Sequence, residues 1–122
     1  MAIEPVCHVS PDGRLRFLIT VDPDGDVTLG FEGYPWHTHA DILAGSSGLS
    51  QAEAVRRSIS HLIENRSVIA LLSVSGRVVD AWTSDNPVGD ARNVREDESL
   101  ELCYWGGRAW DEFADRQSKQ GH

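Results

Sequence analysis

The stretch Ser50–Val74, SQAEAVRRSISHLIENRSVIALLSV, places a helix pattern directly before an apolar strand pattern. Ser50 and Glu53 have the spacing of a capping box, in which a hydroxyl and a carboxylate satisfy two backbone N–H groups at a helix start. Apolar residues then recur at helical spacing: Ala52, Val55, Ile59, Leu62 and Ile63. The stretch therefore predicts an amphipathic helix over 51–65 that packs on one face of a sheet through Val55, Ile59 and Leu62.

Residues 68–72 are apolar without alternation, which is typical of a central strand that is covered on both faces. Ser75 and Gly76 follow as a hairpin turn. Elsewhere, alternation of apolar and polar residues and the turn residues that bound it indicate further strands. These strands are predicted at 3–9, 14–21, 27–31, 77–83 and 100–104.

The segment 84–98 is polar and contains Asn86, Pro87 and Gly89, so it is predicted to be a long irregular loop. Trp110, Phe113 and Ala114 indicate a short C-terminal helix. The sequence therefore predicts an α+β fold with the order βββ-α-βββ. One antiparallel sheet of about six strands would carry the helix on one face.

Length and composition favour a single domain over residues 1–122. The chain is 40% hydrophobic and 25% charged, which is outside the range of disordered chains. The first residues have neither a basic nor an apolar signal region, and no apolar run approaches about 18 residues, so we expect a cytoplasmic protein with no membrane partner. Cys7 and Cys103 match no metal or redox spacing and are expected to be free thiols.

The formal net charge of −8 is concentrated late in the chain, where residues 80–115 hold ten acids against three arginines. Nucleic-acid affinity depends largely on basic residues that displace counterions from phosphates, so this balance excludes nucleic acid as an expected partner. An acidic surface favours steered encounter with a basic protein, although it also serves solubility alone. The candidate partner-binding residues combine this charge with aromatic anchors: Glu96, Asp97, Glu98, Glu101, Trp105 and Trp110.

His37, His39 and Asp41 alternate along one segment, and in an extended chain their side chains would project from the same side. Imidazole and carboxylate are ligands for zinc or iron, so these three residues are the candidate metal ligands. The order H-x-H-x-D resembles the first ligand motif of metallo-β-lactamases, and Trp-His-x-His resembles the first cupin motif. In both families, however, the metal needs further ligands that this chain lacks at the matching positions. Arg92, for example, stands where the second cupin motif has its ligand histidine. The histidines could instead hydrogen-bond locally at a strand end.

The segment from Leu29 to Asp41, LGFEGYPWHTHAD, and the late Tyr104-Trp105-Gly106-Gly107 resemble small bacterial proteins of uncharacterised function. These proteins carry a W-H-x-H segment after a strand and a late Trp-x-Gly, and some look like immunity proteins for polymorphic toxins. The resemblance implies a fold more than a mechanism. The leading hypothesis, which rests on the acidic surface, is a non-enzymatic binding protein without a cofactor, whose partner is a basic protein such as a toxin. The alternative is a small metal-binding protein or metal-dependent enzyme that uses the His-x-His-x-Asp cluster.

Overall fold

The computed structural model describes residues 3–111. Within that range the chain forms seven strands and three helices, and every strand pair is antiparallel. The α+β class predicted from the sequence is therefore confirmed. The predicted C-terminal helix around Phe113 and Ala114 lies outside the described residues.

Sheet A contains the first four strands in chain order. They are β1 (Val6–Val9), β2 (Arg16–Val21), β3 (Val27–Phe31) and β4 (His37–His39). Its inner face carries residues that are at most 2% exposed: Phe17, Ile19, Leu29 and Phe31. They are opposite each other across β2 and β3, as the alternation in both strands predicts.

Sheet B contains β5 (Val68–Val74), β6 (Arg77–Ser84) and β7 (Glu98–Cys103), in the order β6-β5-β7. The central position of β5 explains its apolar run, because both of its faces are covered over the first four residues. Ser75 and Gly76 form the predicted hairpin turn with φ values of 52° and 82°. Both residues are thus in the left-handed region that a two-residue hairpin requires.

The amphipathic helix predicted at 51–65 is α2 (Gln51–Ile63). The Ser50 hydroxyl accepts a hydrogen bond from the Glu53 N–H at 3.2 Å, so the predicted N-cap is formed. Val55 is 3% exposed and Leu62 is 1% exposed, and Ile59 packs against the same core. This helix therefore packs through the predicted residues.

Two further helices were not predicted. The first, α1 (Ala40–Ser47), has Gly45 and two serines, which are typical of a loop. It forms because Ala40 is buried against the core, and it ends where Gly48 adopts φ 77°. The second, α3 (Pro87–Arg92), begins inside the predicted loop and is capped by the Asn86 side chain, which accepts from the Gly89 N–H.

The predicted single sheet is instead divided into two. β4 is a strand of only three residues, too short for alternation to be recognised, and it completes sheet A. α1 and α2 then separate β4 from β5, so the later strands start a new sheet. The inner faces of both sheets, α2 and Trp105 contribute to one core cluster.

Candidate protein-binding surface

A tight turn at Arg95–Glu98 presents two carboxylates at its tip. The Glu98 N–H donates to the Arg95 carbonyl oxygen at 3.0 Å, and the Arg95 N–H donates to Glu98 Oε1 at 2.9 Å. Glu96 and Asp97 lie between these two bonds, and both are exposed. Within residues 3–111 their side chains make no hydrogen bond or ion pair. We call residues 95–98 the acidic turn.

The acidic turn leads into β7, whose residues alternate between the two faces of sheet B. Cys103 is buried on the inner face, so Leu100 and Leu102 lie on the outer face. Across β5, the partner of Leu100 is Leu72, and across β6 the partner of Ala70 is Trp82. Since directly opposed residues share a face, these side chains lie together.

Trp110 extends this outer face beyond β7. The backbone N–H of Trp110 donates to the Leu102 carbonyl oxygen at 2.9 Å, next to an isolated antiparallel bridge between Cys103 and Ala109. Trp110 is therefore opposite Leu102 and on the same face of the sheet. We call the half-buried apolar residues of this face the outer patch: Leu72, Trp82, Leu100, Leu102 and Trp110.

Asp90 of α3 fixes one side of the outer patch. Its Oδ2 accepts from the Trp82 indole N–H at 3.0 Å and from the Ser84 hydroxyl at 2.6 Å. The indole ring is thereby held on the sheet while its polar N–H is satisfied. Alternation alone does not identify Trp82 or Leu72 as surface residues. The signal that finds them is the strand register, which is unknown before the pairing is seen.

Glu101 belongs to the opposite face of β7 and is already paired. Its carboxylate accepts two hydrogen bonds from the Arg14 guanidinium, both at 2.8 Å. These bonds hold the pKa of Glu101 below its usual value and raise the pKa of Arg14. Glu101 thus joins sheet B to the start of β2, and the structure separates it from the acidic turn, with which the sequence grouped it.

Trp105 is not a surface anchor, which corrects its assignment as a partner-binding residue. It is 5% exposed and belongs to the core cluster. A turn at residues 104–107 follows β7, and the Asn65 side chain holds this turn by accepting from the Gly106 N–H at 2.7 Å. Alternation places Trp105 with Cys103 on the inner face, and the turn directs it into the core.

The candidate metal ligands are not assembled as the sequence predicted. His37 and His39 lie on β4 with ring centroids 5.1 Å apart, but Asp41 is in the first turn of α1 and does not continue the strand. His39 Nδ1 is 3.3 Å from an Asp26 carboxylate oxygen, and His37 Nδ1 is 3.1 Å from the Pro35 carbonyl oxygen. In residues 3–111 no group of three or more His, Cys, Asp or Glu side chains could hold a metal ion.

The two cysteines are both free, as expected, with Cys7 exposed and Cys103 buried. Burial raises the pKa of the Cys103 thiol, so this sulfur is kept in its neutral, unreactive form at neutral pH. The chemistry of the described residues therefore offers no activated thiol at the inner face of β7.

Comparison with protein-family models, with curated proteins and with solved structures gave no match to this chain. Over the part of the chain that the structure describes, no helix is long and apolar enough to cross a membrane. The outer patch and the acidic turn beside it lie on one continuous surface, with half-buried apolar side chains next to exposed acids.

Proposed function

We propose that this chain is a non-enzymatic binding protein, and that the outer patch and the acidic turn together bind a basic protein. The observation that carries the proposal is their adjacency. Glu98 ends the acidic turn and begins β7, and Leu100 follows two residues later on the outer face. An apolar centre with a charged border is the usual layout of a protein interface.

The two parts of this surface have different roles in binding. The outer patch supplies apolar area and aromatic side chains, which dominate the energy of protein interfaces once water is excluded. Glu96 and Asp97 supply exposed negative charge that no side chain in residues 3–111 neutralises, and this charge accelerates the encounter with a basic surface. The partner that fits is therefore a protein with apolar side chains surrounded by lysine or arginine.

The resemblance to immunity proteins suggests a more specific form of this function. A basic toxin would be bound and neutralised by an acidic protein in the same cytoplasm, as the net charge of −8 favours electrostatically. Binding of a basic protein does not require that the partner is a toxin, because it follows from the outer patch and the acidic turn alone.

The proposal is tested by capturing a partner on the immobilised chain and measuring association and dissociation rates with the purified pair. In the variant E96K/D97K the charge at the turn tip is reversed, while the backbone bonds of the turn and the Glu98 side chain are kept. We expect association to slow by about tenfold at low salt, and the difference to shrink as salt rises. We expect Trp110→Ala to raise the dissociation rate, because the substitution removes an aromatic side chain that the partner would bury in the complex.

The matched control is E4K/D22K, which makes the same change of charge beside sheet A, just before β1 and just after β2. Both acids are exposed, and neither side chain has a hydrogen bond or ion pair within residues 3–111. Net charge alone would slow association equally in the two double variants. If they behave alike, or if Trp110→Ala dissociates at the wild-type rate, the assignment of this surface is wrong.

A further inference from the structure

A polar cleft of about 330 Å³ lies between the two long helices and one end of sheet B. Its walls come from α1, from α2, and from the residues where β5 begins and β6 ends. Thr83 on this wall is directly next to Trp82 in β6 and so points to the opposite face from the outer patch. Ser84 borders both regions, because it lines the cleft and its hydroxyl donates to the same Asp90 oxygen as the Trp82 indole. The cleft and the outer patch are therefore neighbours that use different side chains for binding.

One face of α2 is dedicated to this cleft. Ala54, Arg57, Ser58 and His61 all line it, and their spacing of three and four residues places them on the same side of the helix. Val55 and Leu62, on another side, are buried in the core. The core-facing stripe fixes the rotation of α2, so Arg57 and His61 are held over the cleft by the packing of the helix.

The polar groups of the cleft are largely uncommitted. Within residues 3–111 the side chains of Arg57, His61, Ser58, Ser67 and Thr83 make no hydrogen bond or ion pair, whereas Arg14, Arg16 and Arg66 pair with acids. No buried side-chain nitrogen or oxygen of the described residues lacks a partner. These donors therefore face solvent in the cleft, where a ligand can reach them.

The number and type of donors indicate the ligand. The fork of Arg57, the imidazole of His61 and three hydroxyls offer more hydrogen bonds than the two oxygens of a carboxylate can accept, and they suit the three terminal oxygens of a phosphate monoester. Asp85 lies at the end of β6 on the same cleft, exposed and with no partner within residues 3–111. A carboxylate there repels bare phosphate and attracts an amino group.

We infer that this cleft binds a small phosphate monoester that carries an amino group. The phosphate contacts Arg57 and His61 on α2, and the amino group contacts Asp85 across the cleft. A phosphate monoester of two or three carbons fits within the volume. The site is independent of protein binding, and each can fail without the other.

The test is an amide NMR titration of the full chain with phosphoethanolamine, inorganic phosphate and acetate. We expect saturable shifts at the cleft residues with phosphoethanolamine, weaker binding of inorganic phosphate, and no saturation with acetate up to about 10 mM, a range that detects millimolar affinity. Arg57→Gln should weaken phosphoethanolamine by about tenfold or more, as expected when a charge-assisted bond is lost. Asp85→Asn should weaken phosphoethanolamine but not inorganic phosphate.

Arg77→Gln is the matched control, because it removes the same charge from the opposite end of β6. Arg77→Gln should bind phosphoethanolamine with the affinity of the wild type. The dispersion of its amide spectrum also shows whether the loss of an arginine disturbs the fold. The inference fails if phosphoethanolamine gives no saturable shifts at the cleft, or if Arg57→Gln binds it as tightly as the control. Equal effects of Asp85→Asn on both phosphates would overturn the role of the amino group.

Discussion

Alanine substitutions at Trp105 and Trp110 should have different effects on the free energy of unfolding. Trp105 is 5% exposed in the core, whereas Trp110 is half-buried on the outer patch. A buried aromatic removes about 150–250 Å² from water, which at about 25 cal/mol per Å² is about 4–6 kcal/mol. Measured replacements of buried tryptophan by alanine cost about 3–5 kcal/mol, so we expect that loss for Trp105→Ala. For Trp110→Ala we expect about 1–2 kcal/mol, in proportion to its smaller burial.

The measurement is urea unfolding followed by far-ultraviolet circular dichroism, because removing a tryptophan alters the fluorescence signal itself. With the usual dependence on urea, the midpoint for Trp105→Ala should fall by about 2–3 M. A domain of average stability can lose most of its folded population by this change, so Trp105→Phe is the second variant, with a smaller loss of about 1–2 kcal/mol. If Trp105→Ala loses no more than Trp110→Ala, Trp105 is not a core residue and the description of the turn after β7 is wrong.

Three further predictions concern the fold. The pKa of Glu101 is lowered by Arg14 in the folded state, so the ion pair should stabilise the protein above the ordinary glutamate pKa of 4.5 and lose this effect as pH falls through the lowered value. The free energy of unfolding of Glu101→Gln should therefore lie about 0.5–1 kcal/mol below wild type at pH 7, and the two curves should meet in acid. Gly30→Ala should lower the thermal midpoint markedly, because its added Cβ would be 2.8 Å from a backbone carbonyl oxygen of the segment before β4. Leu62→Ala should cost about 2–5 kcal/mol by urea unfolding, and Ile63→Ala, at a residue 42% exposed, less than about 1 kcal/mol; equal losses would contradict the packing of α2.

The sequence predicts the elements whose residues interact mainly along the chain. The capping box at Ser50 and the apolar stripe on α2 are local signals, and so are the hairpin turn at Ser75 and Gly76 and the alternation in β2 and β3. The last three are confirmed, and of the capping box the Ser50 half is formed, in which the hydroxyl accepts from the Glu53 N–H. Packing strengthens these elements but does not change their type.

The two sheets, α1 and α3 depend on contacts that a sequence pattern does not contain. α1 carries loop-forming residues and becomes helical because Ala40 is covered by the core, a tertiary effect that overrides local preference. α3 did have a local signal, since Asn86 before Pro87 is a favourable helix start, but it is only six residues long. The division into sheets depends on which strands pair, and alternation is silent on pairing.

The candidate surface shows the same limit. The crowding of Glu96, Asp97 and Glu98 is visible in the sequence, where the three acids are adjacent, but the tight turn that presents them was predicted as an irregular loop. The register of β7 then places Glu101 against Arg14 on the other face. The predicted extended geometry was wrong for Asp41 because the strand ends at His39 and a helix begins, so the period-2 spacing stops before the third candidate ligand.

Hydrogen–deuterium exchange of the chain with and without its purified partner locates the binding surface on the molecule. If the proposed surface binds the partner, amides gain protection in the peptides covering the acidic turn, β7 and Trp110. Amides of β2 and β3 on sheet A should exchange at unchanged rates and serve as the internal control. Protection confined to sheet A, with no change between residues 95 and 110, would show that the partner binds elsewhere and that the proposed surface is wrong.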